Sequence, residues 1–148
     1  MSIDHIVCCT DFSDHAEAAF QTALDLAKKY TARLYLLHVL PPVVNPMLTE
    51  TELMMPERPD ENLIVGLSER MQEVYGSRIP DSVPSELVVR DGHVSTEIIG
   101  FIEEVDADLV VLGAFGLSGM GLVLFGSVAK RIAHKAPCSV MIVRNKKK

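Results

Sequence analysis

The chain of 148 residues is long enough for one domain with a single buried core, and it needs no disulfide or metal to fold. Apolar residues make up 48% and charged residues 23% of the sequence, which is far from the low hydrophobicity of disordered chains. The formal net charge of −6 argues against proteins that track phosphate backbones, so no nucleic-acid partner is expected.

Three further features restrict the class of protein: the N-terminal apolar run, a long uncharged stretch and the positions of the cysteines. The apolar run at 3–9 is too short for a signal peptide and leads into an acidic turn, so we expect the chain to stay in the cytoplasm. The uncharged stretch 109–129 is long enough to span a membrane, but its five glycines and β-branched start favour a strand and a loop. Cys8, Cys9 and Cys138 form no disulfide framework or metal motif and are expected to be reduced core residues.

Apolar runs predict five strands separated by four helical patterns. In chain order, the strands are predicted at 3–9, 33–40, 86–90, 109–113 and 139–143. Apolar residues three and four positions apart mark the four helices: Ala16, Ala19, Phe20, Ala23, Leu24 and Ala27; Ile64, Leu67, Met71 and Val74; Ile98, Ile102 and Val105; Val128, Ile132 and Ala133. Ser13 is placed to cap the first helix.

Strict alternation of strands and helices predicts parallel strands joined by right-handed crossovers. We therefore expect an α/β fold, an open five-stranded parallel sheet with helices on both faces, in one domain over residues 1–148. A ligand of such a sheet lies beyond the carboxyl ends of the strands, where the strand order reverses. The eligible loops follow Cys9, Leu40, Arg90 and Gly113.

The segment 41–60 holds five of the eight prolines and several acidic residues, so it is expected to be irregular. A connection of this length in a small domain is either a mobile lid or a flexible insertion, and both interpretations stay open. Residues 144–148 form a basic tail.

A glycine-rich turn joins the fourth strand to the fourth helix. It reads G-A-F-G-L-S-G-M-G-L-V-L-F-G-S over 113–127 and holds five of the nine glycines. Glycine lets the backbone approach a ligand closely, so N–H groups here can face phosphate oxygens, although plain tight turns use glycine as well. The P-loop pattern fails because Leu122 stands where Lys is required, and the dinucleotide pattern fails because Leu124 replaces a third glycine.

A third pattern does match, since Gly113-x2-Gly116-x9-Gly126-Ser127 resembles the ATP-binding signature of the universal stress protein family. The resemblance covers nearly the whole chain. Further motifs agree in order along the sequence: T-D-F-S at 10–13, L-H-V at 37–39, Gly92, A-D-L-V-V-L-G at 107–113, and A-P-C-S-V at 136–140.

The resemblance implies a Rossmann-like adenine-nucleotide-binding fold and a site built from two groups of residues. At the ends of the first two strands, Asp11 would lie in the adenosine pocket with Thr10, and Val39 would meet adenine through its backbone. An Asp in a turn of this composition is also a common local turn former. The second group would meet ribose and phosphates: Gly113, Gly116, Gly126, Ser127 and Val128.

The expected ligand is ATP or another adenine nucleotide. Members of the family that bind ATP often carry a basic or polar residue where this chain has Phe115 and Leu117, so the turn holds no cation before Lys130 and Arg131. A helix N-terminus contributes only about 0.3–1 kcal/mol per charge. We therefore expect Mg²⁺ or Mn²⁺ to accompany the nucleotide.

The resemblance implies two possible functions of different classes, and a third interpretation also stays open. One is a stress-response module that responds to nucleotide and is read by a protein partner that the sequence does not identify. The other is a slow ATPase or nucleotide-dependent enzyme, which is disfavoured because the turn contains no Lys and no paired nucleophile and base. His38 is interpreted as a core histidine. The third interpretation is a nucleotide-free dimerisation domain.

The last predicted strand, 139–143, is apolar enough to aggregate as an unprotected sheet edge. Pairing with a second copy protects such an edge, and the resemblance also implies a homodimer through this strand.

Overall fold

A computed structural model of the chain describes residues 2–42, 61–114 and 126–146. Within these ranges, strands and helices alternate along the chain. The strands are β1 His5–Cys9, β2 Arg33–Leu40, β3 Ser85–Asp91, β4 Leu109–Gly113 and β5 Ser139–Val143. The helices are α1 Asp14–Tyr30, α2 Glu61–Val74, α3 Val94–Glu104 and α4 Ser127–Lys135, with a 3₁₀ turn at Gly76–Arg78. Most of the predicted irregular segment 41–60 lies outside the described residues.

All five strands pair in parallel in one sheet, in the order β3-β2-β1-β4-β5. From β1 the chain runs outward through β2 to β3 and then crosses back to β4 on the other side of β1. The strand order therefore reverses between β1 and β4, whose carboxyl ends lie side by side. The predicted open parallel sheet with helices is confirmed. The order of its strands, which the sequence alone did not reveal, is given by the structure.

Helices cover both faces of the sheet. On one face α1 and α2 bury Phe20 and Met71 against the sheet, together with Tyr75 directly after α2. On the other face α3 and α4 bury Phe101 and Ile132. Successive residues of a strand point to opposite faces, which is why the continuous apolar runs of the sequence fill two cores.

The first helix follows its predicted pattern closely. Ser13 caps α1 by accepting the N–H of Ala16 at 3.2 Å, and Thr31 ends it in the left-handed conformation. Two details elsewhere differ from expectation. In α4 the buried alanine is Ala129, while Ala133 is exposed because it lies on the outer side of the helix. Val105 caps the end of α3 and is not part of it.

No helix in residues 2–42, 61–114 and 126–146 combines the length and the apolar character that crossing a bilayer requires. The uncharged stretch 109–129 begins as strand β4 and ends inside α4.

Asp108 ties the amino ends of two central strands together, a role that the sequence analysis did not find. Its Oδ2 accepts the backbone N–H groups of Asp4 at 2.8 Å and His5 at 2.9 Å. Its own N–H donates to the carbonyl of His5 at 2.9 Å. These backbone bonds favour the carboxylate and hold the pKa of Asp108 below its ordinary value.

Replacing Asp108 with Asn should destabilise the protein at neutral pH and have a smaller effect in acid. Because the folded pKa is lowered, the stabilisation is present above the unfolded value of about 3.9 and is lost as pH falls through the folded pKa. The group lies near the surface, so the expected loss at pH 7 is about 1 kcal/mol or less. Urea unfolding at pH 7 and pH 3 measures it, with Asp25→Asn on the exposed side of α1 as control. An equal difference at both pH values would contradict the prediction.

Candidate functional site

The candidate site lies at the crevice between the carboxyl ends of β1 and β4. Gly113 ends β4 directly beneath the first turn of α1. A Cβ atom at Gly113 would lie 2.8 Å from Cβ of His15 and 2.9 Å from its carbonyl carbon. Only glycine leaves room for this approach, so the absence of a side chain brings the β1–α1 turn and the end of β4 together.

The start of α4 is hydrogen-bonded to the residue that follows β4, at the same crevice. The N–H of Gly126 donates to the carbonyl of Ala114 at 2.6 Å, and the N–H of Ala114 donates to the carbonyl of Val143 at 2.9 Å. Gly126 is the N-cap of α4, with φ −63° and ψ 152°. The first N–H groups of a helix have no partner within it, so those of Ser127 and Val128 are not used by the hydrogen bonds of α4 itself. Such groups can bond an anion.

The turn between β1 and α1 is held by its own side chains. Oδ1 of Asp11 accepts the N–H of Ser13 at 3.0 Å, and Oγ1 of Thr10 accepts the N–H of Phe12 at 3.0 Å. Phe12 has φ 65°, a left-handed conformation that costs a residue with a side chain about 1–2 kcal/mol. Asp11 therefore does form the local turn that its sequence context indicates, and the same turn places it at the crevice.

The backbone of Val39 faces the crevice from β2. The N–H of Thr10 bonds the carbonyl of Leu37, while the N–H of Gly92 bonds the carbonyl of Leu40. Peptide groups alternate in direction along a strand, so the N–H and carbonyl of Val39 point to the β1 side, like those of Leu37. Among the described residues, β1 has already ended at this point, so these two groups lie beyond its last paired residue, Cys9. A backbone donor and acceptor in this arrangement can bond a planar heterocycle.

The predicted residues thus divide into three sets. Those that the structure gathers at the carboxyl edge around β1 are Thr10, Asp11, Val39 and Gly113. Those at the start of α4 are Gly126, Ser127 and Val128. Gly116 lies outside the described residues, as do Phe115 and Leu117, which carry no predicted ligand role. The ligand roles of the residues in all three sets remain predictions.

Three side chains that contact the β1–α1 turn were not assigned to the site from the sequence: Arg70 of α2, Tyr75 directly after α2, and His38 of β2. The hydroxyl of Tyr75, a residue only 1% exposed, is hydrogen-bonded to the hydroxyl of Thr10. The guanidinium of Arg70 lies 4.3 Å from the ring centroid of Phe12. Nδ1 of His38 donates to the carbonyl of Thr10 at 2.8 Å, and its ring packs on Phe12. No local signal distinguishes Tyr75 from an ordinary core residue at the end of a helix.

One of the two cations in the first turns of α4, Arg131, is bonded to another helix. Nη1 of Arg131 lies 3.2 Å from Nε2 of His93 and donates to the hydroxyl of Ser95 at 3.4 Å. These bonds join α4 to the N-terminus of α3, so Arg131 secures the position of α4. In the described ranges no group of three or more His, Cys, Asp and Glu side chains could hold a metal ion.

The cysteines have the character of core residues. All three are free; Cys8 is buried, and Cys9 and Cys138 are half-buried. Burial raises the pKa of Cys8 and raises that of Cys9 to about 12. Thiols of this kind stay protonated at neutral pH and are poor nucleophiles.

Comparison with known proteins places these features in a family. The profile described as the universal stress protein family matches residues 2–144. A universal stress protein of Methanocaldococcus jannaschii is 34% identical over 149 residues, covering 97% of this chain and 83% of the relative. The solved structure of universal stress protein UspA from Lactobacillus plantarum has a TM-score of 0.78 at 24% identity and covers 97% of this chain and 99% of its own. The universal stress protein from Archaeoglobus fulgidus in complex with dAMP has a TM-score of 0.68 at 23% identity, with 95% and 97% covered.

Proposed function

The chain belongs to the universal stress protein family, and from that premise we propose that it is an ATP-binding regulatory protein acting as a nucleotide-responsive homodimeric binding module. The observation that carries the proposal is the convergence on one crevice of the Asp11 turn, the backbone of Val39 beyond the end of β1, and the start of α4. A crevice at the strand-order reversal is where open α/β sheets bind ligands.

The adenosine end of the ligand fits the β1–β2 side of the crevice. A base edge needs one donor and one acceptor in a plane, and the backbone of Val39 offers both. The carboxylate of Asp11 is suited to bond a sugar hydroxyl. The complex of the Archaeoglobus fulgidus relative with dAMP supports an adenine nucleotide as the ligand class.

The phosphate end fits the start of α4. Backbone N–H groups and the hydroxyl of Ser127 supply donors there, and the helix dipole adds a modest attraction. Arg131 is bonded to α3 and the chain carries a net charge of −6, so protein cations compensate a triphosphate poorly. We therefore propose that Mg²⁺ or Mn²⁺ arrives with the nucleotide and is held mainly by its phosphates.

The test is to identify any nucleotide released when the purified protein is denatured, and then to titrate the nucleotide-free protein by calorimetry. We expect binding of ATP with Mg²⁺ in the micromolar range, which corresponds to about −8 kcal/mol, and weaker binding when EDTA removes the metal. ATP turnover is expected to stay below about one per minute, far below ordinary enzymes. Absence of binding by ATP, ADP and AMP would contradict the proposal.

The homodimer is proposed to form through β5. This strand lies at the edge of the sheet, with Met141 exposed and Val140 and Ile142 only half-buried. Antiparallel pairing with β5 of a second copy would complete the edge and cover these side chains. Light scattering at high micromolar concentration should give twice the mass of the chain, and a monomeric mass there would contradict the dimer.

A further inference from the structure

The turn that carries Asp11 is contacted by Arg70 of α2 and by Tyr75, the residue directly after α2. The hydroxyl of Tyr75 is bonded to Oγ1 of Thr10, and both residues are buried, at 1% and 6% exposed. The same Thr10 oxygen accepts the N–H of Phe12. One buried hydroxyl therefore connects α2 to the backbone on both sides of Asp11.

The ring of Phe12 is held by the same helix. The guanidinium of Arg70 lies 4.3 Å from its centroid, and the Tyr75 ring stacks beside it with centroids 6.0 Å apart. A cation over an aromatic face is attracted by the ring quadrupole. Phe12 is the residue in the left-handed conformation, so these contacts act on the least favourable backbone of the turn.

The end of α2 is itself firmly docked. Met71 is fully buried beneath it, and Arg78 of the following 3₁₀ turn forms an ion pair with Glu17 of α1. The side chain of Arg78 also covers the ring of Phe20 at 4.8 Å. Because the end of α2 is packed in this way, a change in its position can be transmitted to the turn that it contacts.

We propose that Tyr75 and Arg70 are positioning residues of the nucleotide site, and that nucleotide binding is coupled through them to the docking of α2. The inference rests on the proposed function. Tyr75 and Arg70 keep Phe12 left-handed and so keep Asp11 aimed at the crevice. By reciprocity, a ligand that bonds Asp11 stabilises the docked α2, which makes this helix the element whose state reports occupancy.

The experiment compares substitutions of the two proposed positioning residues, Tyr75 and Arg70, with the same chemical changes elsewhere in the protein. Tyr75→Phe removes the bonded hydroxyl, and its control is Tyr35→Phe on the opposite face of the sheet. Arg70→Ala removes the cation over Phe12, and its control is Arg33→Ala, whose guanidinium lies 5.5 Å from the Tyr35 ring. We expect the Kd for ATP with Mg²⁺ to rise about fivefold to tenfold in Tyr75→Phe and in Arg70→Ala, and less than about twofold in each control.

Hydrogen exchange separates positioning from a general loss of stability. Without nucleotide, the amides of Phe12 and Ser13 should exchange faster in Tyr75→Phe than in wild type, while that of Ile102 is unchanged. Nucleotide should slow exchange along residues 61–75 in wild type and have little effect there in Tyr75→Phe. Destabilisation alone does not produce this pattern, because a chain that stays more than about 99% folded loses no measurable affinity.

The outcomes separate this inference from the proposed function. Wild type can bind nucleotide while Tyr75→Phe and Arg70→Ala match it in affinity and in the exchange of the Phe12 and Ser13 amides. In that case the positioning role is wrong and the proposed function stands. If wild type binds no nucleotide, the proposed function fails and the coupling fails with it. The exchange of Phe12 and Ser13 then still shows whether α2 holds the turn.

Discussion

Replacing Gly126 with Val is expected to abolish nucleotide binding while the protein stays folded. Gly126 has φ −63° and ψ 152°, an extended conformation open to any residue, so no left-handed strain arises. Valine also keeps the N–H that bonds Ala114. Exchanging Gly for Val at an N-cap costs about 1 kcal/mol, which is small beside a domain stability of about 5–15 kcal/mol.

Binding suffers because the added Cβ and two methyl groups would occupy space beside the first N–H groups of α4. Micromolar affinity amounts to only about −8 kcal/mol, and it depends on several donors reaching the same phosphates. Calorimetric titration with ATP and Mg²⁺ measures the loss, and circular dichroism verifies folding. Gly100→Val is the control, because a Cβ there meets nothing within 4 Å and affinity should not change. Unchanged affinity in folded Gly126→Val would mean that the glycine turn is only a turn and would favour the nucleotide-free dimerisation domain.

Replacing Gly113 with Ala should, unlike Gly126→Val, destabilise the fold itself. The new Cβ would lie 2.9 Å from the carbonyl carbon of His15 and 3.0 Å from its oxygen, and backbone atoms cannot move aside as a flexible side chain does. Overpacking of this kind costs about 1–3 kcal/mol. For a domain of this size, the melting temperature should fall by about 3–12 °C.

Thermal and urea unfolding measure this effect, and Gly100→Ala provides a control of opposite sign. Gly100 lies in an exposed part of α3, where alanine should stabilise the helix by about 0.5–1 kcal/mol. Nucleotide affinity of Gly113→Ala should also fall, since α1 must shift together with the turn that carries Asp11. Wild-type stability in this variant would show that the close packing of His15 does not explain the glycine.

Gly113 and Gly126 show two different reasons why glycine can stand at a position. The resemblance to the family assigned both to the ligand. The packing of α1 gives Gly113 a structural reason of its own, whereas the N-cap geometry of Gly126 demands no glycine. A Cβ clash depends on what lies opposite in space, so the spacing of glycines along the chain cannot reveal it.

Local patterns were enough to predict the elements and the class of fold. Apolar runs such as 109–113 and the three- and four-residue spacing in α1 arise from the geometry of strands and helices, which repeats within a few residues. The cap by Ser13 is likewise a property of a short segment, and so is the glycine spacing before α4 from which the phosphate site is predicted. Alternation of these elements then left a parallel sheet as the consistent arrangement.

Only the tertiary structure decided which of these segments meet. The order β3-β2-β1-β4-β5 brings the turn after β1 to the end of β4, a choice that depends on how crossovers pack and not on any one segment. The bonds of Asp108 to β1 span more than 100 residues of sequence, and that of Tyr75 to Thr10 spans 65. Contacts at such separations leave no periodic signal in a single chain, because each partner taken alone resembles an ordinary surface carboxylate or core aromatic.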